Sequence, residues 1–171
     1  MSCFLKSKRD SLMTSRTVVD LRWAKELPGR PSCIPKGRPR GVKRIGVRYE
    51  AAFGRAVVER FPEAKLSQWF EFEDANGHGY CQTDVLVPFG NVVVVVECKL
   101  THVLQGYVQL RKLYTPVVEK VYGKPVKGII AVRHLTRKSD VSEVVDSFGS
   151  AILRSNGKIP TFHWLGEGYS L

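Results

Sequence analysis

LSQWFEFEDANGHGYCQTDVLVPFGNVVVVVECKL, residues 66–100, is the stretch whose reading decides the fold. Its alternating and then continuous apolar pattern predicts three strands, 66–74, 79–87 and 92–100, joined by hairpin turns at Asn76-Gly77 and Gly90-Asn91. Both dipeptides suit tight turns because they accept positive φ. With Gly90 and Asn91 as the loop, Phe89 faces Val92, Pro88 faces Val93 and Asp84 faces Glu97. That last pair is of the non-hydrogen-bonded kind, which brings the two Cβ atoms to roughly 4.5–5.5 Å. With Asn76-Gly77 as the other loop, Trp69 falls opposite Asp84, and Trp69, Glu71 and Glu73 share its face. Phe70, Phe72, Cys81, Val85, Val94, Val96 and Cys98 then form the core face. The run 92–96 is apolar on both faces, so the third strand is expected to be central and covered on both sides.

Two carboxylates so placed repel by about 3 kcal/mol at 5 Å and an effective dielectric of about 20. A proton held at a raised pKa or a bound cation offsets such a cost, and Mg²⁺ takes carboxylate oxygens well. Lys99 follows Glu97 by two residues and lies on the same face. Asp84, Glu97 and Lys99 thus supply two metal ligands and one fixed ammonium. Hydrolysis of a phosphodiester by metal-activated water needs that set: a cation to generate the nucleophile, and a positive group to hold it or to stabilise developing charge.

At these residues the chain resembles the PD-(D/E)XK nuclease superfamily, in particular its RecB-like, phage-type or Holliday-junction-resolvase-like members. The resemblance rests on Asp84 followed by Glu97-Cys98-Lys99 at the end of a Val-rich strand; Thr83 stands where the family has proline. It implies an α/β fold with an α-β-β-β-α-β restriction-endonuclease-like core, a mixed central sheet flanked by helices. It also implies Mg²⁺-dependent cleavage, with Mn²⁺ as a substitute, Asp84 and Glu97 as ligands and Lys99 near the attacking water. The helix before the sheet often adds an acidic ligand, a role open to Glu50, which is otherwise an exposed acid at the edge of an apolar stripe. Gln109 through Tyr114 is similar to the glutamine-to-tyrosine motif of RecB-like members, with the tyrosine one residue late. On a regular helix Gln105 and Gln109 point away from the apolar stripe, where they would be solvated.

The chain has 171 residues and a formal net charge of +11, enough length for one domain with a sizeable core. Residues 1–48 hold 13 Lys and Arg against Asp10, Asp20 and Glu26, and the remainder is nearly balanced, 14 against 13. The basic charge therefore belongs to a Pro/Gly-rich N-terminal arm, 1–45, expected to be flexible or loosely docked. Trp23 with Leu21 and Leu27 would form a short helical turn in it. A polyanion is the simplest partner of such an arm, and nucleic acid, above all DNA, the commonest one. Arg38, Arg40, Lys43 and Arg44 are its candidate phosphate contacts; an acidic membrane surface or a solubilising tail are the bland alternatives. Cys3, Cys33, Cys81 and Cys98 have neither zinc-ligand spacing nor a disulfide framework. No apolar run reaches the roughly 18 residues of a membrane span, so a cytoplasmic chain is expected, or a nuclear one in a eukaryote.

The nuclease domain would occupy 46–171. A helix over 47–61 is stopped by Pro62, and a second over 102–122 carries Val103, Tyr107, Leu110, Tyr114, Val117 and Val121 on one face, with Pro116 as a kink. His102 lies close after Lys99. The run 126–132 reads as a buried strand beside the third. Arg133, His134, Arg137 and Lys138 form a basic cluster at its end, a candidate phosphate contact or equally an ordinary loop. A further helix at 139–153 and a strand at 159–165 complete the domain.

The reading is a magnesium-dependent deoxyribonuclease, with a homodimer compatible with it. Its rivals are a catalytically inactive nucleic-acid-binding or assembly module on the same fold, and a nuclease acting on RNA or on branched junctions.

Overall fold

The computed structural model describes residues 16–101 and 103–134, together with the backbone of 142–145, 151–154 and 160–163. Eight strands hydrogen-bond into one mixed sheet: β1 (Trp23–Leu27), β2 (Lys65–Asp74), β3 (Gly77–Phe89), β4 (Val92–Lys99), β5 (Val126–Val132), β6 (Ser142–Val145), β7 (Ala151–Arg154) and β8 (Pro160–His163). Their order across the sheet is β1-β2-β3-β4-β5-β8-β7-β6. Helix α1 (Gly41–Arg60) precedes β2. Between β4 and β5 run α2 (Val103–Gln109), a π-helical turn (Leu110–Tyr114) and α3 (Thr115–Tyr122). The architecture is α/β, and no helix among the described residues is long and apolar enough to cross a membrane.

The central hairpin has the predicted register. Phe89 pairs with Val92, Pro88 with Val93 and Val85 with Val96, and Gly90 takes positive φ in the turn. The first hairpin differs. Asp74 pairs with Gly77, so the loop is Ala75-Asn76, and Trp69 lies opposite Gln82 rather than Asp84. The cause is the side chain of Asp74, which accepts the Asn76 N–H (2.9 Å) and closes the turn one residue early. Gly77 then carries the positive φ.

The core is divided by the sheet. On one side Phe70, Phe72, Cys81, Leu86, Val93 and Val95 pack with Leu110, Leu113, Tyr114, Val117 and Val118. On the other, Val85, Val87, Val96 and Ala131 pack with Phe53 and Val57 of α1, and Cys98 lies against them. The single core face expected for Cys81 and Val85 is therefore split: the pleat changes sides between them. Opposite Asp84, Ser67 takes positive φ, and these two residues are missing from the β2–β3 ladder, whose register is the same on either side of them. β4 is covered on both sides, as its unbroken valines require.

Three further expectations are corrected. Residues 23–27 form an edge strand antiparallel to β2, not a helical turn in a loose arm, and α1 begins at Gly41, before the boundary drawn at 45. A row of cross-strand pairs holds this edge, with Lys25 on Glu71 (2.7 Å) and Arg22 on Glu73 (2.8 Å). The second helix is not merely kinked at Pro116. That residue lies in the first turn of α3, and the carbonyl of Lys112, four residues back, accepts the Val18 N–H (2.9 Å), since proline has none to offer it. Finally, the helix expected over 139–153 is replaced by β6 and β7, paired antiparallel. Val144, Val145 and Ile152 satisfy a strand as readily as a helix, and β-branching favours the strand.

Candidate functional site

β4 runs parallel to β5, and the residues of interest gather at its C-terminal end. The β3–β4 ladder stops at the pair Val85 and Val96. Beyond it the Asp84 side chain takes over: its Oδ2 accepts the Cys98 N–H at 2.7 Å. This bond aims the Asp84 carboxylate along β4, next to Glu97. Glu97 is only 2% exposed. Its Oε1 accepts from Lys99 Nζ at 2.5 Å, whereas its Oε2 is buried with no hydrogen-bond partner.

Three carboxylates feel this environment. Burial pushes Glu97 well above the ordinary range, and the Asp84 charge adds to it, with Lys99 opposing. Burial likewise raises Asp84 to about 6, against the Cys98 N–H and Lys99. Glu50 of α1 is pushed up to about 7 by burial and by the charge of Asp84. One ammonium therefore faces three acids that are hard to ionise together, and a buried carboxylate oxygen is left unpaired. A site of this composition attracts a cation. The described residues hold no cluster of three or more His, Cys, Asp and Glu close enough to bind an ion together. The direct pair is Asp84 with Glu97, and Glu50 acts on it through charge. Mg²⁺ commonly keeps several waters and uses one or two carboxylates, so the pair fits it.

The helix above the site departs from a regular wheel. Gln105 is exposed, but Gln109 is 3% exposed, which corrects its expected place on a solvated face. The π-helical turn that follows adds one residue to the helical period. Across it, Gln109 Nε2 donates to Tyr114 Oη at 3.2 Å. Gln109 Oε1 is buried without a partner. Burial, and then the charges of Glu97 and Asp84, raise the Tyr114 hydroxyl pKa well above normal.

Two residues join the site that sequence reasoning missed. Gly106 of α2 leaves room for the site's side chains; a Cβ there would lie 3.3 Å from Lys99 Cγ and 3.5 Å from Glu97 Cγ. The signal for it was a glycine inside a helix, where it is unfavourable without a packing reason. Tyr49 of α1 is buried, and its hydroxyl pKa is raised by burial and by Cys98, with Arg133 opposing. No signal distinguished it from an ordinary core aromatic.

The other candidates are placed elsewhere. Glu71 accepts from Lys25, from Tyr80 Oη (3.1 Å) and pairs with His78 (2.7 Å), apart from the acidic pair. Arg38, Arg40, Lys43 and Arg44 are exposed at and before the start of α1. Arg133 follows β5, and its backbone N–H donates to the Lys99 carbonyl (3.0 Å). His102, Arg137 and Lys138 lie outside the described residues. No protein-family model, characterised protein or solved structure matches the chain.

Proposed function

We propose that the chain is a nuclease of the PD-(D/E)XK type, with a restriction-endonuclease-like core, that hydrolyses phosphodiester bonds of nucleic acid, DNA in particular. The observation that carries this reading is the unpaired, buried Glu97 Oε2 beside Asp84, with Lys99 on the same strand. Mg²⁺, or Mn²⁺ in its place, would be held by Asp84 and Glu97, and when bound it supplies the positive charge that polarises a phosphate and acidifies water.

The chain's own groups have separable tasks. Asp84 is oriented by the Cys98 N–H, so its other oxygen keeps a fixed position. The Lys99 ammonium, held on Glu97, orients the attacking water and offsets the charge that builds on the phosphate. Glu50, raised by burial and by the charge of Asp84, adds a further negative charge to the site when ionised, and a bound cation would favour that ionised form. Gln109, anchored through its amide nitrogen by Tyr114, turns an unpaired acceptor oxygen to whatever donor enters. The exposed cations on α1 and before it suit the phosphate backbone.

The test is incubation of the full chain with supercoiled, linear, single-stranded and branched DNA, and with RNA, in Mg²⁺ and in EDTA. Cleavage in Mg²⁺, lost in EDTA and in Asp84→Asn, is the expected result. Binding without cleavage on every substrate would favour an inactive binding module.

A further inference from the structure

Two segments far apart in sequence meet at Lys112. Its carbonyl lies inside the π-helical turn, between Gln109 and Tyr114, and its regular helical donor would be the N–H at position 116, which proline lacks. The donor it has is the Val18 N–H, at 2.9 Å. Val18 and Leu21 also pack on the apolar cluster that contains Leu110, Leu113 and Tyr114. The Tyr114 hydroxyl accepts from Gln109 at 3.2 Å and stands close enough to Glu97 and Asp84 to feel both charges. One backbone bond thus links the residues before β1 to a side chain that borders the acidic pair. The remaining hydrogen bonds of residues 16–22, among the described residues, go to the β2–β3 hairpin. Arg16 bonds to Asp74, Gly77 and His78, the Val19 N–H donates to Asp74 Oδ2 (3.2 Å), the Ala75 N–H donates to the Val19 carbonyl (2.7 Å) and the Arg22 N–H donates to the Glu73 carbonyl (2.9 Å). The Arg16 guanidinium lies over the Phe72 ring, 4.8 Å from its centre. Gly79 leaves room for it: a Cβ there would stand 2.6 Å from Arg16 Nη1 and 2.8 Å from Phe72 Cζ. Residues 16–22 are therefore a strap, fastened to the hairpin and reaching the helix through Val18.

We propose that Val18 is a positioning residue of the acidic site: the strap, docked on the hairpin, holds the π-helical turn through the Val18 N–H and so fixes the Tyr114 hydroxyl beside Glu97. This rests on the nuclease reading of that site. With an N–H at position 116 the Lys112 carbonyl would be satisfied within its own helix, whatever the N-terminal segment did. Proline at 116 makes the turn depend on a donor from outside. The strap brings no group of its own to the acidic pair, so it acts on the geometry of the reacting groups and not on the affinity for DNA or Mg²⁺. Small displacements of such groups lower the rate of the chemical step more than they weaken binding.

The experiment uses the full chain with the Thr17–Val18 amide replaced by an ester, which removes that N–H and keeps every side chain. The control is the same replacement between Val18 and Val19, which removes the N–H bonded to Asp74. Each ester takes one hydrogen bond from the strap, so the melting temperatures should fall alike. The expected result is that the Val18 ester lowers kcat for DNA cleavage about ten-fold per folded molecule, with KM and the Mg²⁺-induced rise in melting temperature unchanged, while the Val19 ester keeps kcat. Gly79→Ala, which expels Arg16 and releases the strap without altering it, should lower kcat in the same way. An unchanged kcat in the Val18 ester or in Gly79→Ala overturns the proposal, and so does an equal loss in the two esters, since the strap would then serve stability alone. A second signal separates this from the nuclease reading: with 3-fluorotyrosine in place of the tyrosines, the Tyr114 fluorine resonance is the one missing from Tyr114→Phe. The Val18 ester should move it and the Val19 ester should not. A chain that shows this shift but cleaves no DNA sinks the nuclease alone, and one that cleaves while neither kcat nor the resonance responds to the Val18 ester sinks the strap alone.

Discussion

Gln109 and Tyr114, five residues apart, meet across a π-helical turn, with the amide nitrogen 3.2 Å from the phenol oxygen. Both side chains are buried, so neither can exchange this bond for water. Tyr114→Phe leaves the Gln109 amide without its acceptor and should cost about 1–3 kcal/mol in urea unfolding. Gln109→Leu removes the partner that would be orphaned. The double variant should therefore lose less than the sum of the single variants, by at least about 0.5 kcal/mol. Additive losses would mean that the bond contributes nothing.

The acidic pair makes stability depend on pH and on metal. Folding raises the pKa of Asp84 to about 6 and of Glu50 to about 7, so the folded chain binds more protons than the unfolded one between their ordinary values and these. The sign follows from linkage: stability contributed by these groups is greatest at about pH 4 and falls as pH rises to about 7. Other acids, such as Glu71 and Glu73, are held low and act oppositely, so the comparison is made against a variant. Asp84→Asn should melt above the unmutated chain at about pH 7.5 without metal, and the gap should close toward about pH 4. Mg²⁺ should raise the melting temperature of the unmutated chain and leave Asp84→Asn nearly unchanged. An Mg²⁺ shift of equal size in both would remove Asp84 from the ligand set.

These two cases also mark what can be read from residues alone. Asp84, Glu97 and Lys99 were legible because one turn, Gly90-Asn91, sets the register of the whole hairpin, and a two-residue period then assigns the faces. The Asn76-Gly77 turn misled by one residue, because the deciding group was the Asp74 side chain and not the turn dipeptide. Gln109 was illegible for a different reason: a wheel with a constant angle fails across a π-helical turn, and nothing local announces the extra residue. β1 was hidden by composition, since an edge strand held by Lys25–Glu71 and Arg22–Glu73 pairs looks like a charged arm until its partner strand is known. The valines near 144 fit both periods, and strand pairing decided between them.

The N-terminal segment is expected to matter for folding and not only for charge. Arg16 donates to Asp74 Oδ1 (2.6 Å) and to the carbonyls of Gly77 (2.7 Å) and His78 (3.0 Å). Burial pushes Asp74 up, but Arg16 and the N–H groups of Val19 and Asn76 outweigh it and hold its pKa below the usual range. Arg16→Ala leaves a fully buried carboxylate short of its counterion and should cost about 3 kcal/mol at neutral pH. The contribution is present above the ordinary aspartate pKa and is lost as pH falls through the lowered value. Urea titrations at about pH 7 and pH 3 check this; an equal loss at both would show that the carboxylate charge is irrelevant.

Lys99 separates the catalytic reading from a structural one, because its removal should move stability and rate in a distinctive way. Its ammonium is the only cation bonded to Glu97 among the described residues, at 2.5 Å. Lys99→Ala should therefore lower apo stability, the opposite of Asp84→Asn, since it deepens the excess of negative charge that the other substitution relieves. On rate, the ammonium acts where charge develops, in the transition state more than in the bound ground state. Cleavage should fall by about 10²-fold or more, roughly 2.7 kcal/mol, while the Mg²⁺ shift in melting temperature persists. Lys99→Arg should not restore the rate. The stem passes 3.3 Å from where a Gly106 Cβ would sit, and a planar guanidinium cannot place a compact charge in that space. Gly106→Ala probes the same fit from the helix. It gains helix propensity, about 1 kcal/mol, yet crowds Lys99, so a chain that is no less stable should cleave more slowly. A lysine serving only to neutralise Glu97 would lose stability in Lys99→Ala and keep its rate per folded molecule, and that pattern would return the site to the binding-module reading.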